Sequence, residues 1–184
     1  MSFDPRSNAQ IERIATDFLR RVSPRSLRLP LKLDVLDIFE RLEDAPFNLN
    51  PGVKDLAPGV EGMTYSDGRI EITEATYRGL VRGEGRPRFT VMHEIAHAIM
   101  HMKQMLKMPF VETQVLQRRS LKPFEDPEWQ ANVFASAALM PAEMVRLIAS
   151  RNNWPVARPD EVVSVFGVSL PAAEVRLKKL GLLK

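Results

Sequence analysis

Apolar residues recur at helical spacing over residues 7 to 22, where Ile11, Ile14, Ala15, Phe18, Leu19 and Val22 fall on one side of a helix. Ser7 with Gln10 supplies the reciprocal capping pattern at its start, and Ser23-Pro24 stops it. A second helix is predicted from Asp34, burying Val35, Leu36, Ile38, Phe39 and Leu42 and leaving Asp37, Glu40 and Arg41 in water. Both read as scaffold. Residues 46 to 58, rich in Pro, Asn and Gly, read as a loop, and beyond them the period changes from helical to alternating. Strands are predicted over 60–65 and 69–73, joined by a tight turn at Asp67-Gly68. A short helix follows over 74–81, and Gly83-Glu84-Gly85 breaks it.

The longest uninterrupted pattern comes next. Pro87 suits a first helical position, and neither Gly nor Pro occurs from Arg88 to Lys107. From Met102 to Glu125 the pattern is irregular; Met102, Met105, Met108, Phe110 and Val111 suit either packing or a groove lining, and the basic pair Arg118-Arg119 follows. Asp126-Pro127-Glu128 starts a helix that runs to Met140 and stops at Pro141, and its small residues Ala131, Ala135 and Ala138 permit close approach of a neighbour. A helix through Met144, Val145, Leu147 and Ile148 fades at Asn152–Pro155. Two more are predicted over 160–166 and 170–180, with Ser169 as a cap and Gly167 and Gly181 as stops. The last two, with Arg176, Lys178 and Lys179 on the second, have the form of half a helix-turn-helix, a pattern that any packed helical hairpin shares.

At 184 residues the chain suits a single domain: N-terminal helices over 8–45, a core over 59–141 and a C-terminal hairpin over 156–184. The absence of Cys excludes disulfides and thiolate metal sites. The first residues lack the apolar core of a signal peptide, and no apolar run approaches the ~18 residues of a membrane span, so a cytoplasmic location without membrane attachment is expected. A net charge of +3 is too small to imply nucleic-acid binding.

Within the long helix stands His93-Glu94-Ile95-Ala96-His97. Residues four apart lie on one helical face, so both imidazoles can reach one cation, while Glu94 stands beside it, where a carboxylate can take a proton from attacking water. A third ligand is needed. The route through a Gly turn to a third His is closed, because those positions are Met100 and Lys103. Glu128, at the start of the later helix, is the candidate, with Asn132 on the same face to hydrogen-bond a ligand imidazole. A Glu there also simply complements the helix dipole. His101, one turn past His97, suits either contact with the site or plain exposure.

Taken together, Arg88-Phe89-Thr90-x-x-His93-Glu94-x-x-His97-x-x-x-His101 and Glu128-x-x-Ala131-Asn132-x-Phe134-Ala135-x-x-x-Leu139-Met140-Pro141 resemble the ImmA/IrrE family of metallopeptidases over about residues 60 to 145. The resemblance implies an α+β, zincin-like fold, with a small, mostly antiparallel sheet packed on the His-Glu helix and further helices at both ends. It implies one zinc ion per chain, held by His93, His97 and Glu128, with Glu94 as the catalytic carboxylate. The implied substrate is a protein, often a helix-turn-helix repressor whose cleavage switches on stress-response or transfer genes. Three positions depart from the usual pattern: Ala96 for Gly, Met92 for Ala and Gln130 for Glu.

The expected activity is therefore zinc-dependent endopeptidase chemistry. The strand pair is a candidate edge for an extended substrate, and His101, Tyr65 and Tyr77 are candidates for substrate contact or for stabilising the oxyanion. Direct nucleic-acid binding is not expected. The alternatives are a metal- or DNA-binding regulator that cuts nothing, and a toxin-like module paired with an antitoxin.

Overall fold

The computed structural model describes residues 3–107, 122–151 and 158–183. The residues named above between Met108 and Arg119, and the fading end at Asn152–Pro155, lie outside the described residues. In chain order the elements are α1 (Asn8–Val22), α2 (Val35–Glu40), β1 (Asn50–Val53), β2 (Gly62–Thr64), β3 (Arg69–Ile72), α3 (Glu74–Val81), α4 (Gly85–Met100), the short α5 (Met102–Met105), α6 (Pro127–Leu139), α7 (Ala142–Arg151), α8 (Pro159–Phe166) and α9 (Leu170–Lys179).

The architecture is α+β, with a three-stranded sheet of order β1-β3-β2. The expected hairpin forms, β2 antiparallel to β3 with Met63 opposite Glu71. A third strand comes from the stretch read as a loop: β1 runs parallel to β3, so the sheet is mixed rather than mostly antiparallel. Pro51 and Gly52 disguise β1 in the sequence, yet an edge strand tolerates both. Alternation puts Ile70 and Ile72 on the face toward α4, and both are fully buried.

α4 begins at Gly85, two residues before Pro87, and ends at Met100. Proline is tolerated within a first helical turn because the N–H it lacks has no intrahelical partner there. At the other end His101 takes φ −118°, and a separate short turn follows, so the helix does not run on to Lys107.

α6 lies between α4 and α1, and nine of its thirteen residues are buried, which is why it is apolar on nearly every side. Phe134 meets Phe18 of α1 with ring centroids 5.6 Å apart. No single helix among the described residues is long and apolar enough to cross a membrane.

Two arginines join the C-terminal hairpin to this core. Arg88 of α4 is buried and donates to the carbonyls of Leu33 (2.9 Å), Phe166 (2.7 Å) and Gly167. Its burial pulls the guanidinium down to about 10, against a weaker opposing pull from Asp34. Arg176 of α9 is equally buried; Nε donates to the Met140 carbonyl at 3.0 Å and the guanidinium forks onto the Glu12 carboxylate. Of the three basic residues on α9, then, the first faces inward, and the Lys179 ammonium lies 5.9 Å from the Trp129 ring centre. Arg176→Ala would strand Glu12 and a buried carbonyl, and a loss of about 3 kcal/mol is expected in urea unfolding; Lys178→Ala, on the exposed side of the same helix, should change stability by less than about 0.5 kcal/mol.

Candidate metal centre

His93 and His97 project from the same face of α4, and α6 delivers Glu128 from its first turn. Asp126 caps α6 by accepting from the Glu128 N–H at 2.9 Å, with Pro127 at the first position, so local chain chemistry fixes where the carboxylate emerges. The three donor atoms lie within 4.8 Å of one another. His93 Nε2 is 3.0 Å from His97 Nε2 and 3.1 Å from Glu128 Oε2, and His97 Nε2 is 3.4 Å from Glu128 Oε1.

These separations test whether a cation fits. Ligands at zinc-like bond lengths on a tetrahedron stand ~3.3 Å from one another, and the donor set, two imidazoles and a carboxylate, is one that zinc takes in sites with an open position. Asn132 Oδ1 lies 3.0 Å from His93 Nδ1, where it accepts the hydrogen bond of an Nδ1–H, the tautomer whose Nε2 presents a lone pair. Glu128 is exposed while both histidines are partly buried, so the cluster is open on the carboxylate side.

The electrostatics agree. Burial opposes charge on His93, but the carboxylate of Glu128, by hydrogen bond and by charge, prevails with help from Glu94 and Asn132, and the imidazole is raised above its ordinary value. The adjoining rings of His93 and His97, in that order of effect, hold Glu128 well below the usual carboxylate range, against the effect of burial.

Glu94 is buried between α4 and the sheet, near enough to His93 for its charge to favour the imidazolium. The Thr64 hydroxyl lies 2.8 Å from both Glu94 Oε2 and the Glu94 carbonyl, tying β2 to α4. Gly62 leaves room for the same side chain: a Cβ there would stand 2.8 Å from Glu94 Cγ. Neither Gly62 nor Thr64 was identified from the sequence, although a glycine inside a strand signals a close approach.

The remaining candidates are placed elsewhere. His101 is fully buried, 3.1 Å from both His97 and Gln130, so it stands behind His97 rather than facing a substrate. Burial, followed by the nearby His97 and opposed by Gln130, pushes it down to about 3. Tyr77 donates its hydroxyl to Glu40 at 2.8 Å. Tyr65 lies under the Arg69 guanidinium, 4.1 Å from the ring centre, and burial and then Glu71 raise its hydroxyl. The two tyrosine side chains are thus engaged with Glu40 and with Arg69 and Glu71.

The chain belongs to the peptidase M78 family, the IrrE N-terminal-like domain, whose model matches residues 82–178 and so includes all three donors and Glu94. A solved structure of a Mycobacterium tuberculosis transcriptional regulator shares the fold, with a TM-score of 0.59 at 14% identity, over 91% of this chain and 46% of that one. The chain therefore spans under half the length of that protein. Comparison with curated proteins gives no match.

A proton and a cation compete for the same lone pairs, and His93 keeps its proton to higher pH than a free imidazole. Cation affinity should therefore be level above that raised value and fall below it, by about tenfold per pH unit for each proton displaced. Chelator competition between about pH 5 and 9 measures this; an affinity independent of pH would contradict the assignment of His93.

Proposed function

We propose that this protein is a zinc-dependent endopeptidase of the His-Glu-x-x-His plus downstream Glu type, acting on a protein partner. The observation that carries the reading is the convergence of His93, His97 and Glu128 within 4.8 Å, with the buried Glu94 carboxylate close enough to His93 for its charge to favour the imidazolium. An ion in this site would polarise a peptide carbonyl and make water acidic enough to attack at neutral pH. Glu94 takes the proton from the attacking water at its carboxylate and returns it to the leaving amine. The hydrogen bond from Thr64 and the space left by Gly62 hold that carboxylate in one position.

The same strand suits the substrate. Tyr65 N–H donates to Arg69 and Thr73 N–H to Glu61, so within the hairpin alternation turns the backbone groups of Gly62 and Thr64 away from β3. An extended peptide pairing with that edge would lie alongside Glu94, held by main-chain hydrogen bonds that do not depend on its sequence. The substrate class we infer is a DNA-binding repressor, on the strength of the family and of the regulator that shares the fold. A role in stress response and a cytoplasmic location belong to the same proposal. Its DNA-binding alternative loses support from the inward-facing Arg176.

Glu94→Gln should bind zinc as the parent does and lose cleavage of a co-incubated repressor by at least about a thousandfold. Cleavage at the parental rate would refute the mechanism. Gly62→Ala should press on the Glu94 side chain, lowering kcat by about tenfold or more while zinc affinity stays level; an unchanged kcat would mean the Glu94 position does not matter.

A further inference from the structure

The chemistry of one buried amide orders the protons behind the metal centre. Gln130 is fully buried on α6. Its Nε2 stands 3.0 Å from the Asp4 carbonyl and 2.9 Å from the Phe124 carbonyl, groups that only accept. Its Oε1 stands 2.9 Å from an Arg6 nitrogen, a group that only donates. One amide orientation satisfies all three, and the reverse satisfies none.

His101 Nε2, 3.1 Å from that same Oε1, must therefore carry a proton and donate it. In the neutral ring this leaves Nδ1 bare. The bare Nδ1 faces His97 Nδ1 at 3.1 Å, so His97 must hold its own proton on Nδ1 and present an unprotonated Nε2 to His93 and Glu128. Phe3 closes the ring of His101 from outside, edge to face at 5.2 Å, and Arg6 also donates to the Met100 carbonyl at 3.0 Å, capping the end of α4.

We propose that His101 and Gln130 are positioning residues. In this reading the N-terminal segment, through Arg6, Gln130 and His101, fixes the Nδ1–H tautomer of His97, and so determines how readily the site takes its cation. The inference rests on the metal-centre reading above and adds to it the device that prepares one ligand. A histidine side chain in water favours the opposite tautomer, with the proton on Nε2, the nitrogen that would have to bind the ion. Without a fixed acceptor behind it, His97 would have to change tautomer before binding.

The test uses the full chain, metal-free and with zinc alone as the probe. Long-range proton–nitrogen correlation on the metal-free parent at about pH 9, where imidazoles are neutral, should show His97 protonated on Nδ1 and His101 on Nε2. His101→Phe and Gln130→Met should each move His97 toward the Nε2–H form and weaken zinc binding by about 10- to 100-fold in chelator competition. His101→Asn, whose oxygen takes the place of Nδ1, should recover most of that affinity, a rescue that a merely space-filling role would not produce. A parent spectrum with the His97 proton on Nε2 overturns the proposal, and it does so even if the variants fail to fold. Folded His101→Phe binding zinc as tightly as the parent overturns it equally. A parent that binds no zinc while showing the expected tautomers would instead sink the metal-centre reading and leave the proton order standing.

Discussion

The close crossing of α4 and α6 is the constraint on which the site depends. Neither helix alone assembles three donors: α4 brings two imidazoles four residues apart, and the carboxylate must come from a helix whose axis passes near enough for a short side chain to reach them. Ala131 and Ala135 lie three and seven residues beyond Glu128, on the face that also carries Asn132, and Ala96 lies three beyond His93; all three alanines are buried. Small side chains there let the backbones approach, and the loss of apolar area per residue is offset on the other side of α6 by Phe134 against α1. Helix α6 is consequently less a surface element than the middle layer of the protein.

What the sequence made legible follows the same division between local and distant causes. The helices with capping residues and clear periodicity, α1, α3 and α9 among them, lie close to where their patterns put them, because local chemistry suffices. The donor pair on α4 was readable for the same reason, and Glu128 became so once a second motif with a helix-start signature was found downstream. β1 was not readable. Its Pro51 and Gly52 disfavour a strand, and only pairing with β3 overrides them. Buried charge was also invisible: Arg88 and Arg176 look like surface residues until the carbonyls and the carboxylate that receive them are placed. His101 and Gln130 carried a faint signal in their spacing, four past His97 and two past Glu128. Which way they face depends on the N-terminal segment, far away in the chain.

The surroundings of the three donors are polarised in a consistent sense. Asn132 accepts from the back of one imidazole and His101 from the back of the other, so both rings turn lone pairs toward the carboxylate. Three electron-rich atoms held this close repel one another unless something positive stands among them. A proton relieves that repulsion in the metal-free protein, which is the meaning of the raised His93 and the depressed Glu128; a divalent ion relieves it more completely. Glu94 is treated differently. It takes the Thr64 hydroxyl and packs against Gly62, so its carboxylate is held by β2 and is not one of the three grouped donors.

The C-terminal hairpin has the form of half a helix-turn-helix, but the first of its three basic residues on α9 is buried. A recognition helix needs its basic residues turned outward along one exposed face, where phosphates can be neutralised. In α9 the guanidinium of Arg176 instead reaches into the core to Glu12 and the end of α6, while α8 hands its terminal carbonyls to Arg88 of α4. Both contacts end on helices that define the site, and Arg88 sits only five residues before His93, on its own helix. The hairpin therefore acts as a brace: it holds the first turns of α4 at one end and the last turn of α6 at the other, and these are the two helices whose crossing decides whether three donors can share one ion.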